Sequence, residues 1–139
     1  MSAPTLEPVR EPSHDDPTAP TPGGADGWTV VCRLDAVAPE SGVAALVRGA
    51  AVAVVRDHLG DVHALSNYCP YARASVLSRG IVGTRGDVPF IASPLFKQPF
   101  GLRDGVCLDD AAVRVTTYDV AVREGWILVG PARTSPDAA

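Results

Sequence analysis

The chain has 139 residues, a length that suits one domain with tails and argues against two. Its composition is 46% hydrophobic and 20% charged, which excludes wholesale disorder. The net charge of −4 arises before Gly27, where Arg10 stands against Glu7, Glu11, Asp15, Asp16 and Asp26; the neutral remainder lacks the basic excess of a nucleic-acid-binding domain.

Residues 1–26 read as a disordered acidic tail. Pro4, Pro8, Pro12, Pro17, Pro20 and Pro22 remove backbone donors, and few large apolar side chains remain to offset ordering. The first residues show no basic and then apolar leader. The apolar run Ala50 to Val55 ends at Arg56, far short of the roughly 20 residues that span a bilayer. Cys32, Cys69 and Cys107 are too scattered for a disulfide framework. A cytoplasmic protein with reduced thiols is expected, with no membrane or nucleic-acid partner.

The domain is expected over residues 27–131, with a short C-terminal tail over 132–139. A strand opens it over Trp28 to Leu34. Val43 to Val47 and Val52 to Arg56 flank Arg48-Gly49 and predict a hairpin. The alanine-rich stretch Val43 to Val55 competes as a helix, but its valines and Gly49 favour strands. A turn over Asp57 to Asp61 precedes a strand over Val62 to Ser66. Val88 to Ala92 is rich in β-branched and aromatic residues. Phe100 to Leu102 and Val106 to Leu108 bracket the turn Arg103-Asp104-Gly105. Asp109 to Ala112 reads as a single helical turn. Tyr118, Val120 and Val122 alternate with Asp119, Ala121 and Arg123, and Gly125 turns the chain into Trp126 to Val129. Short strands at this spacing predict an all-β sandwich or barrel.

Two segments stand out between these strands, Asn67-Tyr68-Cys69-Pro70-Tyr71 and Ala92-Ser93-Pro94-Leu95-Phe96-Lys97. In a small all-β domain they resemble the two ligand loops of Rieske proteins. A Rieske centre draws on one Cys-x-His loop and one Cys-x-x-His loop, with two thiolates on one iron and two imidazoles on the other. Here Tyr71 stands in the first histidine position, Ser93 in the second cysteine position and Phe96 in the second histidine position. Cys69 alone remains, a phenyl ring offers no lone pair, and His14, His58 and His63 lie outside both loops. These are vestigial ligand positions, and no [2Fe–2S] cluster is expected.

The flanking runs Ala74 to Gly83 and Ser93 to Leu102, followed by Gly105-Val106-Cys107-Leu108-Asp109-Asp110, closely resemble the small subunit of the NAD(P)H-dependent assimilatory nitrite reductase. The resemblance covers the whole of Gly27 to Val129. It implies a Rieske-like fold with no redox cofactor in this chain. It further implies a cytoplasmic large subunit carrying FAD, a [4Fe–4S] cluster and sirohaem, which reduces nitrite to ammonium with electrons from NADH or NADPH. The small subunit supports that activity and has no catalytic group of its own.

Other readings stay open at this point. The chain could be an emptied Rieske module that binds another partner, or a ferredoxin, against which the missing ligands weigh. Cys69 reads as a structural loop cysteine or as a thiol activated by Arg73. Cys32, Cys107, Trp28 and Trp126 read as core. Tyr71 and Phe96 either plug the vacant site or present a hot spot to a partner. Between Ala72 and Arg103 the bases Arg73, Arg79, Arg85, Lys97 and Arg103 face one acid, Asp87, a local charge of +4 that straddles both loops. The expected partner interface is Tyr71, Arg73, Arg79, Phe96 and Lys97, steering onto an acidic face of the large subunit.

Overall fold

The computed structural model describes residues 27–134; the expected tail over 1–26 and the last five residues lie outside them. Thirteen strands form two antiparallel sheets and a small ribbon among the described residues. The larger sheet holds β1 (Thr29–Arg33), β2 (Ser41–Val47), β3 (Ala50–Arg56), β4 (Val62–Ser66), β12 (Thr117–Arg123) and β13 (Trp126–Thr134), in the order β1-β13-β12-β4-β3-β2. Between β4 and β12 the chain inserts a ribbon, β5 (Tyr68–Cys69) with β6 (Ala74–Ser75), and a five-stranded meander. The meander runs through β7 (Ile81–Arg85), β8 (Val88–Ala92), β9 (Pro99–Gly101), β10 (Val106–Cys107) and β11 (Asp110–Arg114).

Strand β3 shows why the apolar run is a strand and not a helix. Its side chains alternate between two cores. Val52 and Val54 join Val31, Val37, Val47, Ile127 and Val129. Ala53 and Val55 turn to the opposite face, with Leu65, Ile91, Phe100 and Leu102. A strand buried on both faces needs a continuous apolar sequence, which is what Ala50 to Val55 supplies. The expected hairpin is present, with all seven residues of β2 paired to β3. Arg48 and Gly49 both take positive φ, 49° and 84°, the backbone that a two-residue hairpin turn requires. Arg48 holds that strained position by donating to the carbonyls of Gly27 and, at 2.6 Å, Gly130.

The turn before β4 is built on a buried carboxylate. Asp57 Oδ1 accepts from the N–H groups of Leu59 and Asp61, and Oδ2 lies 2.9 Å from His63 Nε2. Burial pushes this carboxyl up, but the His63 and backbone hydrogen bonds outweigh it and hold it below its ordinary value. Trp126 is buried with Val30 and Leu128, and half-buried Trp28 packs on them. Cys107 is buried as expected, whereas Cys32 is only half-buried. Burial, and then the charge of Asp35, push the Cys32 thiol up to about 11, so it is protonated at neutral pH.

Three elements differ from the sequence reading. The stretch expected as a helical turn, Asp109 to Ala112, instead leads into β11, which pairs antiparallel with β10. A four-residue helix gains almost nothing in isolation, and strand pairing satisfies more backbone groups. Strand β7 was not anticipated. It pairs along its full length with β8, and Gly83 lies under the Phe90 ring, where a Cβ would come within 2.8 Å. The last strand continues past the boundary at Pro131, since Thr117 pairs with Thr134. A register shift between Tyr118 and Val120 lets the strand carry a proline that cannot donate.

Candidate functional site

The two loops have matching backbones. The first starts at Cys69 and the second at Ser93, each followed by proline. Each is closed by the residue four positions on. Arg73 N–H donates to the Cys69 carbonyl at 2.7 Å, and Lys97 N–H to the Ser93 carbonyl at 2.9 Å. Both closing residues are basic, and both take positive φ, 55° and 64°. In each loop the side-chain heteroatom of the first residue accepts a backbone N–H from three residues on. Ala72 donates to Cys69 Sγ at 3.4 Å, and Phe96 to Ser93 Oγ at 3.5 Å. Leu95 N–H donates to the same oxygen at 3.3 Å.

Specific contacts hold this pair in place. Asn67 is buried at the root of the first loop. Its backbone N–H donates to the Ala51 carbonyl, its carbonyl accepts from Leu77, and its Oδ1 accepts from Ser78 N–H at 2.6 Å. Both ends of the excursion from Asn67 to Ser78 are thereby tied together. Gly80 then presses against the root of the second loop. A Cβ there would lie 2.1 Å from the Ala92 carbonyl oxygen, so only glycine fits. Neither Asn67 as a staple nor Gly80 as a spacer was singled out from the sequence. Both depend on contacts across ten or more positions.

Side chains divide where backbones agree. Cys69 is fully buried in the core with Ile91, Phe100 and Cys107. Tyr71 packs against the same core, its ring centroid 6.1 Å from that of Phe100 and its hydroxyl 3.8 Å from Cys107 Sγ. Burial first, then the Cys107 contact and nearby Asp110, push the Tyr71 hydroxyl up to about 12. On the second loop only Ser93 turns inward. Leu95 and Phe96 are 59% and 57% exposed. The two aromatics thus point differently: Tyr71 packs inward and Phe96 projects.

The basic cluster also divides. Arg85 is bound to Asp109 at 2.9 Å, and Arg103 donates to the Asp87 carbonyl. Asp87 and Arg103 line a shallow cleft of about 260 Å³ with His58 and Thr84, at the β7–β8 turn. That turn is the end of the hairpin away from Ala92 and the second loop. The +4 run in sequence is thus not one surface. Arg73, Arg79 and Lys97 remain exposed around the loops, and no described acid forms an ion pair with them.

An insert carrying two such loops on a six-stranded sheet defines a Rieske-type domain. The Rieske-like [2Fe-2S] domain family matches residues 27–130. The nitrite reductase (NADH) small subunit of Salmonella typhimurium is 42% identical over 101 residues, covering 72% of this chain and 94% of the relative. The nitrite reductase [NAD(P)H] large subunit of Klebsiella oxytoca contains a similar stretch, 39% identical over 104 residues, which covers 74% of this chain and 11% of that one. Among solved structures, the nitrite reductase [NAD(P)H] small subunit from Erwinia carotovora is 46% identical at a TM-score of 0.64, covering 78% of this chain and 84% of that one. The ferredoxin of carbazole 1,9a-dioxygenase from Nocardioides aromaticivorans is 34% identical at 0.65, covering 76% and 98%. The chain belongs to the Rieske-like domain family and, within it, to the nitrite reductase small subunits.

The family's description includes a [2Fe–2S] cluster, and the residues of this chain do not fit one. Phe96 has no donor atom. The Tyr71 hydroxyl is turned to Cys107, and Ser93 Oγ is occupied by two N–H groups. Cys69 is left as one thiol where four ligands are required.

Proposed function

We propose that this chain is the accessory small subunit of a cytoplasmic NAD(P)H-dependent nitrite reductase. In this reading a large subunit with FAD, a [4Fe–4S] cluster and sirohaem reduces nitrite to ammonium. The small subunit binds no redox cofactor, contributes no catalytic group and acts by binding the large one. The observation that carries the reading is the Klebsiella large subunit, which contains a domain 39% identical to this one. A covalent link supplies at high effective concentration the same pairing that separate chains must reach by affinity.

The loop face is the proposed contact. Phe96 and Leu95 supply exposed apolar area for the centre of an interface, and Arg73, Arg79 and Lys97 supply a basic rim. Tyr71 supports that face from beneath. A ferredoxin role is disfavoured by the donor set at the four ligand positions.

The test is nitrite-dependent NAD(P)H oxidation by the purified large subunit, with and without this chain. Faster ammonium formation on its addition supports the proposal. No rate change together with no co-elution would leave an emptied Rieske module with a different partner.

A further inference from the structure

Residues 1–26 carry five acids and one base, and in the domain that follows the exposed bases Arg73, Arg79 and Lys97 lie in and just after the two loops. Most of the other arginines are engaged. Arg33 lies near Asp35, Arg133 near Asp119 and Arg85 against Asp109. Arg48, Arg56 and Arg103 donate to backbone carbonyls. Arg114 and Arg123 lie on other strands, β11 and β12. Arg73, Arg79 and Lys97 are exposed in and just after the two loops, and no described acid forms an ion pair with them.

The acidic segment also joins the domain at the right end. Gly27 is bound through its carbonyl to Arg48 in the β2–β3 turn. Two residues beyond that turn, the Ala51 carbonyl accepts from Asn67 N–H at 3.0 Å, the root of the first loop. A chain of 26 residues spans roughly 25 Å or more in any regime from coil to polyproline. A domain of this size has a radius of gyration of about 13 Å. Reach therefore permits many sites, and charge selects among them. The Salmonella small subunit is matched over 94% of its own length by 101 residues, so it has no room for 26 more.

We propose that the acidic, proline-spaced segment over residues 1–26 docks on the basic loop face of its own domain, over Arg73, Arg79 and Lys97. There it competes with the large subunit. The competition rests on the reading that this face meets the large subunit; the intramolecular contact does not. Exposed ion pairs are individually weak and screened by salt, so the contact is an equilibrium that a larger partner surface displaces.

The experiment compares the full-length chain with a variant carrying Glu7→Gln, Glu11→Gln, Asp15→Asn, Asp16→Asn and Asp26→Asn. All five changes lie outside the described residues. In amide NMR spectra at low salt, residues 71–79 and 93–98 should shift between the two proteins, and about 0.5 M NaCl should remove the difference. The neutralised variant should also bind the large subunit about three- to tenfold more tightly at low salt. Superimposable loop amides at low salt would overturn the proposal.

A charge reversal, Arg79→Glu with Lys97→Glu, separates the two readings. If loop amides respond to the segment but this reversal leaves large-subunit binding unchanged, the intramolecular contact stands and the docking face is wrong. If the amides superimpose while the reversal weakens binding, the docking face stands and the segment proposal falls.

Discussion

The two loops share a backbone and differ in what their side chains do. Cys69-Pro70-Tyr71-Ala72-Arg73 and Ser93-Pro94-Leu95-Phe96-Lys97 close on the same hydrogen bond and end on a basic residue at positive φ. In the first loop the aromatic residue comes two positions after the heteroatom and turns onto Phe100 and Cys107. In the second it comes three positions after and stands 57% exposed. The one-residue offset alone does not decide this, because Leu95, two positions after Ser93, is also 59% exposed. Tyr71 is turned inward by Phe100 and Cys107, which lie beside the first loop. The first loop packs its aromatic ring inward, and the second leaves Leu95 and Phe96 exposed.

The largest expected effect tests that division directly. Tyr71→Ala should cost about 2–3 kcal/mol in urea unfolding, less than a fully buried aromatic because the ring is only half covered. Phe96→Ala should stay within about 0.5 kcal/mol. Equal losses would erase the distinction. Asn67→Ala comes next. It leaves the Ser78 N–H buried without its acceptor, at a cost on the order of 1.5 kcal/mol, seen as a lower midpoint with an unchanged slope. An unchanged midpoint would mean that the first loop is held by its aromatic contact alone.

Binding should invert the order. Phe96→Ser should weaken affinity for the large subunit about tenfold while Asn67→Ala, in the folded fraction, changes it little. Lys97→Glu should cost about threefold, chiefly in the association rate, and should flatten its salt dependence. Isothermal titration and stopped-flow mixing would read these two. If Lys97→Glu outweighs Phe96→Ser, the face is held by charge and not by apolar contact.

The difference between the loops explains what was legible in advance. The fold class followed from local signals, such as the paired φ demand at Arg48-Gly49 and the alternation of Tyr118, Val120 and Val122. The four vestigial positions followed from the resemblance of the two loops to Rieske ligand loops. The direction in which Tyr71 and Phe96 turn did not, because it is decided by Phe100 and Cys107, brought in by β9 and β10. Strand β7 hid because its Gly83 weakens the strand signal to admit the Phe90 ring. Strand β11 hid because Asp110-Ala111-Ala112 has helical propensity that only pairing with β10 overrides. The separation of Arg85 from Lys97 was hidden because a hairpin carries them apart while keeping them close in sequence.

The smallest effect is at alkaline pH and again separates the loops. Burial and the Cys107 contact raise the Tyr71 hydroxyl to about 12, against about 10 for an unfolded tyrosine. Between those values the folded chain holds a proton that the unfolded chain has lost. The stabilising contribution is therefore complete below about pH 10 and declines as pH rises through about 12. Solvent screening of the half-exposed ring keeps the energy small. An absorbance titration at the tyrosinate band should show one of the chain's three tyrosines ionising late. Tyr71→Phe should remove that late step and lessen the alkaline loss of stability, whereas Phe96→Ala should leave both in place. A late step that survives Tyr71→Phe would assign it to Tyr68 or Tyr118, and the first loop would then be as open to solvent as the second.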